Sequence, residues 1–202
     1  MEKFETLKAT AVPLRAENVD TDQIIPARYL TAVTKEGMGN GLFNSWRYHP
    51  DGTPKADFVL NKPEYKGAEV LIAGRNFGSG SSREHAVWAL AEYGFRVVIA
   101  PSFSPIFRAN CIRNGIAPIS LADEAVADLA TGAAGGAMVA VDLRSMTVRQ
   151  GDRQWSFDLD DEARTMLMEG LDTIQLTLKR QAEIENFRER DAGSRPWVYL
   201  KK

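Results

Sequence analysis

Residues 74–86, between two short apolar runs, form a glycine- and serine-rich segment with the sequence GRNFGSGSSREHA. The apolar runs, VLI at 70–72 and VVI at 97–99, are typical of buried strands. Apolar side chains recur at helical spacing from Ala86 to Tyr93, and Gly94 is placed to end a helix. The pattern therefore predicts a strand, a turn, a helix and a second strand.

The start of the predicted helix carries the spacing of a capping box. Ser81 would be the N-cap, and Glu84 follows three residues later. In such a box the serine oxygen accepts one free backbone N–H, and the glutamate accepts another. Capping alone accounts for Ser81 and Glu84.

The remaining residues of the turn indicate an anion-binding loop. Gly78 and Gly80 allow the backbone to approach a ligand closely, and Ser82 would expose its N–H at the helix start. Arg83 adds a permanently charged, planar guanidinium that suits a carboxylate or a phosphate. A small anion is the expected occupant.

Three common motifs fail here, each at a specific residue. A phosphate-binding P-loop needs a lysine before its final serine or threonine, and the segment has none. A nucleophile elbow needs Gly-x-Ser-x-Gly, whereas Ser79 is flanked directly by two glycines. The dinucleotide fingerprint needs glycine where Arg83 stands.

Three segments, in this order, resemble the swivelling domain of the aconitase superfamily: NVDTDQIIPAR at 18–28, NFGSGSSREHA at 76–86 and VVIAPSFSPIF at 97–107. Two shorter matches, LFNSWR at 42–47 and GLDTI at 170–174, are similar to the bacterial small subunits of 3-isopropylmalate dehydratases. The resemblance runs from Phe4 to Arg190. It implies an α/β fold, a single swivelling β/β/α domain like the C-terminal domain of aconitase, with a core and substrate loops in 1–130 and a C-terminal hairpin and helices in 131–202.

The resemblance also implies a reaction. Members of this family are hydro-lyases that isomerise 2- and 3-isopropylmalate, small dicarboxylates, by dehydration and rehydration in leucine biosynthesis. Ser81 matches the family's catalytic serine base, and Ser82 and Arg83 match groups that bind substrate carboxylate and oxyanion. A large subunit, the expected partner, carries a four-iron four-sulfur cluster on three cysteines, so this chain would be active only in a heterodimer with it.

Other residues of the matched segments have two interpretations. Asp22 is either part of a plain turn or, by the resemblance, an active-site acid that contacts substrate. Arg28 either helps to read the substrate side chain or lies at a surface or subunit interface. His85 lies four residues after Ser81, so a Ser/His nucleophile pair is conceivable, although a histidine that orients the loop is the favoured interpretation. Glu84 either caps the helix or holds Arg83.

Composition excludes several classes of protein. The lone Cys111 cannot form an internal disulfide or hold a cluster, and its segment predicts a buried, small apolar role. His49 and His85 make no convincing zinc site, so we expect no metal on this chain. The net charge of −2 gives no nucleic-acid footprint, and neither a membrane-spanning run nor a signal peptide is visible. We therefore expect a soluble, cytoplasmic protein.

The rest of the chain is predicted to be scaffold. Residues 37–67 are rich in glycine, proline and aromatic side chains and indicate a long ordered excursion that Trp46 anchors. Thr131 to Gly136 is predicted to be a small-residue linker. The other predicted elements are helices at 105–114, 123–129, 161–169 and 172–190, a strand at 116–119, and a hairpin around Gly151 and Asp152. The tail at 197–202 is expected to pack on a partner.

Two rival functions remain at this stage. A sister hydro-lyase acting on homoaconitate, dimethylmalate or citraconate would use the same Ser81 loop and differ mainly in residues 28–41. A non-catalytic module that binds a carboxylate metabolite would need no partner subunit.

Overall fold

The computed structural model describes residues 1–31, 34–80 and 82–199. Two four-stranded sheets organise the chain. The strands are β1 (Thr6–Ala9), β2 (Ala11–Leu14), β3 (Val70–Ala73), β4 (Val97–Ala100), β5 (Ala117–Ser120), β6 (Val139–Asp142), β7 (Thr147–Gln150) and β8 (Arg153–Ser156). The α-helices are α1 (Thr21–Ile24), α2 (Asn44–Arg47), α3 (His85–Tyr93), α4 (Pro105–Arg113), α5 (Asp123–Ala134), α6 (Asp161–Glu169), α7 (Thr173–Leu178) and α8 (Gln181–Ser194). The α/β fold class is confirmed.

The central sheet is parallel, in the order β2-β3-β4-β5. Its two middle strands, β3 and β4, are fully buried, as their unbroken apolar sequences predict. One face carries α3 and α4, which cover Leu71 and Val98 with Leu90 and Phe107. The connections after β2, β3 and β4 all leave from the carboxyl ends of the strands, the usual location of ligand sites in such sheets.

The second sheet is antiparallel, in the order β1-β6-β7-β8, and packs with α5 and α6 on the opposite face of the central sheet. Its core contains Val141 and Val148 against Leu129 and Leu167. The predicted hairpin is confirmed, because Gln150 pairs with Arg153 around a two-residue turn. Sequence patterns did not predict β1 or β2.

Two predictions about the C-terminal part are wrong. The predicted linker at 131–136 is largely helix, because α5 continues to Ala134 and buries Ala130 and Ala133. Alanine is the best helix former, and these side chains have a core to fill. The single helix predicted at 172–190 is divided into α7 and α8 at Lys179 and Arg180.

The excursion between β2 and β3 is ordered by aromatic packing, as predicted. The Trp46 ring stacks on Phe43 with centroids 5.6 Å apart, and Phe58 packs edge-on at 6.1 Å. The excursion also contacts α3, where the backbone N–H of Gly37 donates to the Glu92 carboxylate at 2.7 Å. Among the helices of the described residues, none has the length and apolar character needed to cross a membrane.

Candidate active site

Three loops meet beyond the carboxyl ends of β2, β3 and β4. Single parallel bridges continue the order of the strands past their ends, joining Asp20 to Ser79 and Phe77 to Phe103. The three segments are those that resemble the aconitase swivelling domain in sequence. The fold therefore brings them together at one edge of the sheet.

Close contacts explain the glycines of the central loop. An added Cβ at Gly78 would lie 2.1 Å from Cγ of Phe107, and one at Gly74 would lie 2.4 Å from the carbonyl oxygen of Ala16. Gly78 and Gly80 also have φ values of +73° and +87°, which L-residues rarely adopt. Gly78 and Gly80 are therefore explained by the backbone conformation of the loop, without reference to a ligand.

Backbone hydrogen bonds fix the loop against the segment after β2. The N–H groups of Gly78 and Ser79 both donate to the carbonyl of Val19, at 2.8 and 3.1 Å. In return, the N–H of Thr21 donates to the carbonyl of Ser79 at 3.0 Å. The two segments are thereby held in one register.

A pair of asparagines strengthens this junction. Asn18 and Asn76 have left-handed backbones, with φ of 53° and 55°, and Nδ2 of Asn76 donates to Oδ1 of Asn18 at 3.0 Å. The N–H of Asn76 donates to Oγ of Ser102 at 2.9 Å, which ties in the loop after β4. Asparagine tolerates this conformation better than most residues, and that preference is the signal that sequence reasoning missed.

The helix after the loop begins later than predicted. Its N-cap is Glu84, which has a helical backbone and makes no side-chain capping bond, so the predicted capping box is wrong. The Glu84 carboxylate instead accepts a hydrogen bond from Nδ2 of Asn114 at 2.8 Å. Ser82 and Arg83 therefore precede the helix and are not part of its first turn. Ser81 lies outside the described residues.

Arg83 and Asp22, two of the predicted site residues, form an ion pair. Asp22 lies in the first turn of α1, which begins with a capping box between Asp20 and Gln23. The side chains of Arg83 and Asp22 are 27% and 55% exposed, so the pair faces solvent at the edge of the loop. A carboxylate ligand reaching this edge would meet the guanidinium of Arg83.

Arg28 and His85 have other neighbours. Arg28 donates to Oδ1 of Asn44 and lies over the Tyr29 ring, 5.2 Å from its centroid. It lines an open cavity of about 370 Å³ together with Asn44 and His49. The His85 ring packs 4.6 Å, centroid to centroid, from that of Trp88.

Cys111 is fully buried, as predicted, and burial raises the pKa of its thiol. Across 1–31, 34–80 and 82–199, no group of three or more histidine, cysteine or acidic side chains could hold a metal ion.

Comparison with known proteins defines the class. The family model of the aconitase C-terminal domain matches residues 1–124, so fold and loops are those of an aconitase-type domain. The 3-isopropylmalate dehydratase small subunit of Roseobacter denitrificans is 49% identical over 201 residues, covering 98% of this chain and 100% of that protein. The Cupriavidus necator small subunit is 47% identical over 206 residues, covering 99% of each chain. This chain belongs to the family of 3-isopropylmalate dehydratase small subunits, which are components of hydro-lyases.

A solved structure supports the same relationship. The 3-isopropylmalate dehydratase of Methanocaldococcus jannaschii superposes with a TM-score of 0.64 at 26% identity, covering 90% of this chain and 98% of that one. Because the relatives are named small subunits, their name implies a larger partner chain.

Proposed function

We propose that this chain supplies one half of the active site of a two-subunit 3-isopropylmalate dehydratase in leucine biosynthesis. The enzyme would interconvert 2- and 3-isopropylmalate by removing water and adding it back in the other orientation. The observation that carries the proposal is the Asp22–Arg83 ion pair, which lies at the end of a glycine loop held by two neighbouring strand ends. A dicarboxylate substrate needs a cation at such a place.

In this proposal Ser81 is the base that removes the C–H proton, and Arg83 and Ser82 bind the substrate carboxylate and oxyanion. A serine hydroxyl serves as a base only if its anion is stabilised. Lowering its pKa by about five units requires roughly 7 kcal/mol. Three charge-assisted hydrogen bonds, at about 1.5–3 kcal/mol each, can reach that value. Arg83, 27% exposed in the chain alone, is the permanently charged donor nearest to Ser81 in sequence.

The cluster implied by the resemblance does not fit this chain. Cys111 is the only cysteine and is fully buried, and the residues that the structure describes bring no three histidine, cysteine or acidic side chains together as a metal site. We propose that a four-iron four-sulfur cluster is held by the large subunit, where it would supply the Lewis acid for the departing hydroxyl. In this proposal, this chain binds and orients the substrate and removes its C–H proton.

We further propose that residues 1–202 act as one swivelling domain, with the core and substrate loops in 1–130. The packing of β1 against β6 supports this view, because it joins the N-terminal strand to the C-terminal sheet. Arg28 is proposed to act in substrate selection. The open cavity that Arg28 lines together with Asn44 and His49 supports that role.

The test is an assay of the two-subunit complex. The chain is co-purified without oxygen with the large subunit encoded in the same genome, and alkene absorbance is followed with 2- and 3-isopropylmalate. We expect Ser81→Ala to leave assembly intact and to lower turnover by about 10²–10⁴-fold, the usual contribution of a positioned base. Ser79→Ala is the matched control, since the Ser79 hydroxyl, in the part of the chain that the structure describes, donates to the Asn18 carbonyl at 3.4 Å. Near-normal turnover in Ser81→Ala would remove Ser81 from the mechanism.

The same assay separates the rival functions. Turnover of homoaconitate, dimethylmalate or citraconate without turnover of isopropylmalate would identify a sister hydro-lyase. Failure to bind any large subunit, together with carboxylate binding by the chain alone, would identify a non-catalytic module.

A further inference from the structure

Two asparagines of α4 hold the chain on either side of Arg83. Nδ2 of Asn110, a buried residue, donates to the carbonyl of Ser82 at 3.4 Å. Nδ2 of Asn114 donates to the carboxylate of Glu84 at 2.8 Å. Asn110 and Asn114 are four positions apart in one helix and therefore lie on the same face of α4. Both neighbours of Arg83 are thus attached to this helix.

These attachments matter because the segment 82–84 precedes the first turn of α3. The helix begins at His85, and the side chain of Glu84 makes no capping bond. The position of the segment therefore depends on contacts with other elements. Helix α4 is a rigid support for it, because Phe107 and Cys111 bury the other side of α4 in the core.

The surroundings of Asn114 fix the orientation of its amide. Nδ2 donates to the Asn110 carbonyl at 2.9 Å as well as to Glu84, and Oδ1 accepts a hydrogen bond from Nζ of Lys35 at 2.9 Å. A reversed amide would place its oxygen against the Glu84 carboxylate and its NH2 group against the Lys35 ammonium. Asn114 is thereby held with its donor directed at Glu84.

We infer that Asn114 is a positioning residue for Arg83. By holding the side chain of Glu84, it fixes the backbone from which Arg83 extends towards the substrate carboxylate. Asn114 touches neither substrate nor cofactor in this assignment. The inference rests on the proposed function, because Arg83 is proposed there to bind that carboxylate.

The first variant, Asn114→Asp, keeps the shape of the side chain and replaces its donor with an acceptor. A second carboxylate then faces that of Glu84, and the attachment becomes repulsive. In steady-state kinetics of the two-subunit complex we expect KM to rise about tenfold, the effect of one hydrogen bond. KM is the decisive quantity, because a smaller amount of folded enzyme lowers the apparent kcat and leaves KM unchanged.

The second variant combines Asn114→Asp with Glu84→Gln and so exchanges donor and acceptor across the contact. The new amide can donate to the new carboxylate, so KM should return to near the wild-type value. The Tm should stay lowered in both variants, because the carboxylate still faces the Asn110 carbonyl. Recovery of KM without recovery of stability separates positioning from a structural role. Glu84→Gln alone keeps an accepting oxygen and should raise KM less than Asn114→Asp.

Asn61→Asp is the matched control. Nδ2 of Asn61 also donates to two acceptors, the carbonyls of Arg47 and Lys55, at 2.6 and 2.9 Å. Its Oδ1 also accepts from a cation, Nε of Arg47, at 3.2 Å. The same exchange of atoms should lower the Tm of this variant and leave its KM at the wild-type value.

Asn114→Ala removes the donor without adding a charge and should also raise KM, which keeps the inference testable if Asn114→Asp folds poorly. Wild-type KM in either variant would overturn the inference, as would a raised KM in Asn114→Asp that Glu84→Gln does not lower. Failure of the proposed function is recognised separately, because the wild-type complex would then not turn over isopropylmalate, or Ser81→Ala would retain activity.

Discussion

Arg83 is ion-paired with Asp22, which lies 61 positions earlier in the chain. The pair joins the segment after β2 to the segment after β3, and it remains partly open to solvent. A guanidinium has five donors in a rigid fork, so Arg83 can hold Asp22 on one edge and accept a second carboxylate on another. In the proposed function, Asp22 would orient the cation before substrate arrives.

The first prediction concerns the shape of this cation. Arg83→Lys keeps the charge and loses the fork, so we expect KM to rise by about tenfold and kcat to fall, with about 1 kcal/mol or less of lost stability. Arg75→Lys is the control, because Arg75 also forms an ion pair with an aspartate, Asp123, but at a more exposed position away from the Asp22–Arg83 pair. Steady-state kinetics of the complex provide the measurement. Unchanged kinetics in Arg83→Lys would argue against carboxylate binding by Arg83.

The second prediction separates backbone strain from steric clash in the loop. Gly52→Ala, at φ +85° with no atom within 4 Å of the new Cβ, should lose about 1 kcal/mol from strain alone. Gly78→Ala, at φ +73°, would also drive its Cβ into the Phe107 ring and should lose about 1–3 kcal/mol more. Denaturant unfolding of both variants measures the difference. Equal losses would mean that the ring moves aside freely.

The third prediction concerns Cys111. Burial raises the pKa of this thiol above its ordinary value of 9.0, so it stays protonated while an unfolded thiol would ionise. The thiol should resist a disulfide reagent at pH 8 until the chain is unfolded. The raised pKa stabilises the folded chain, and this stabilisation is fully present below pH 9. Above pH 9 it is lost at about 1.4 kcal/mol per pH unit, because the unfolded thiol ionises while the folded thiol does not. Cys111→Ala should lack this slope, and rapid labelling of the folded chain would contradict the prediction.

The fourth prediction concerns acid stability. The backbone N–H groups of Ser145 and Arg144 donate to Oδ1 of Asp142, at 3.0 and 2.7 Å, and lower the pKa of its carboxyl. The stabilisation is therefore present above the ordinary pKa and is lost as the pH falls through the lowered value. Asp142→Asn keeps an accepting oxygen but cannot titrate, so its unfolding free energy should fall less steeply in acid. Asp152→Asn, in the hairpin turn of the same sheet, serves as the control, and identical acid slopes for Asp142→Asn and wild type would refute the assignment.

Elements with a continuous local signal were predictable from sequence. The apolar runs of β3 and β4 can only be buried, and Pro105 with Gly115 marks both ends of α4. By contrast, β1 and β2 are separated only by Thr10 and belong to different sheets. Hydrophobic periodicity cannot show that the chain passes from one sheet to the other across a single residue, because strand pairing is decided by contacts distant in sequence.

The same limit applies to the site. Composition alone predicts the glycine loop, but it does not predict where α3 starts. The local pattern assigns Glu84 to a cap, whereas its carboxylate accepts a hydrogen bond from Asn114. No spacing rule links Asp22 to Arg83. Their pairing depends on the register between two loops, which the bridge from Asp20 to Ser79 sets.

The excursion between β2 and β3 can vary in sequence without disturbing the rest of the fold. Its ends are fixed by two adjacent parallel strands, while its interior is held by its own aromatic cluster and by contacts with α3. A chimera that exchanges residues 27–58 between sister enzymes would therefore keep the glycine loop and its ion pair in place. Under the proposed function, exchanging this one segment would change the preference among dicarboxylates and leave the residues proposed for proton transfer in place.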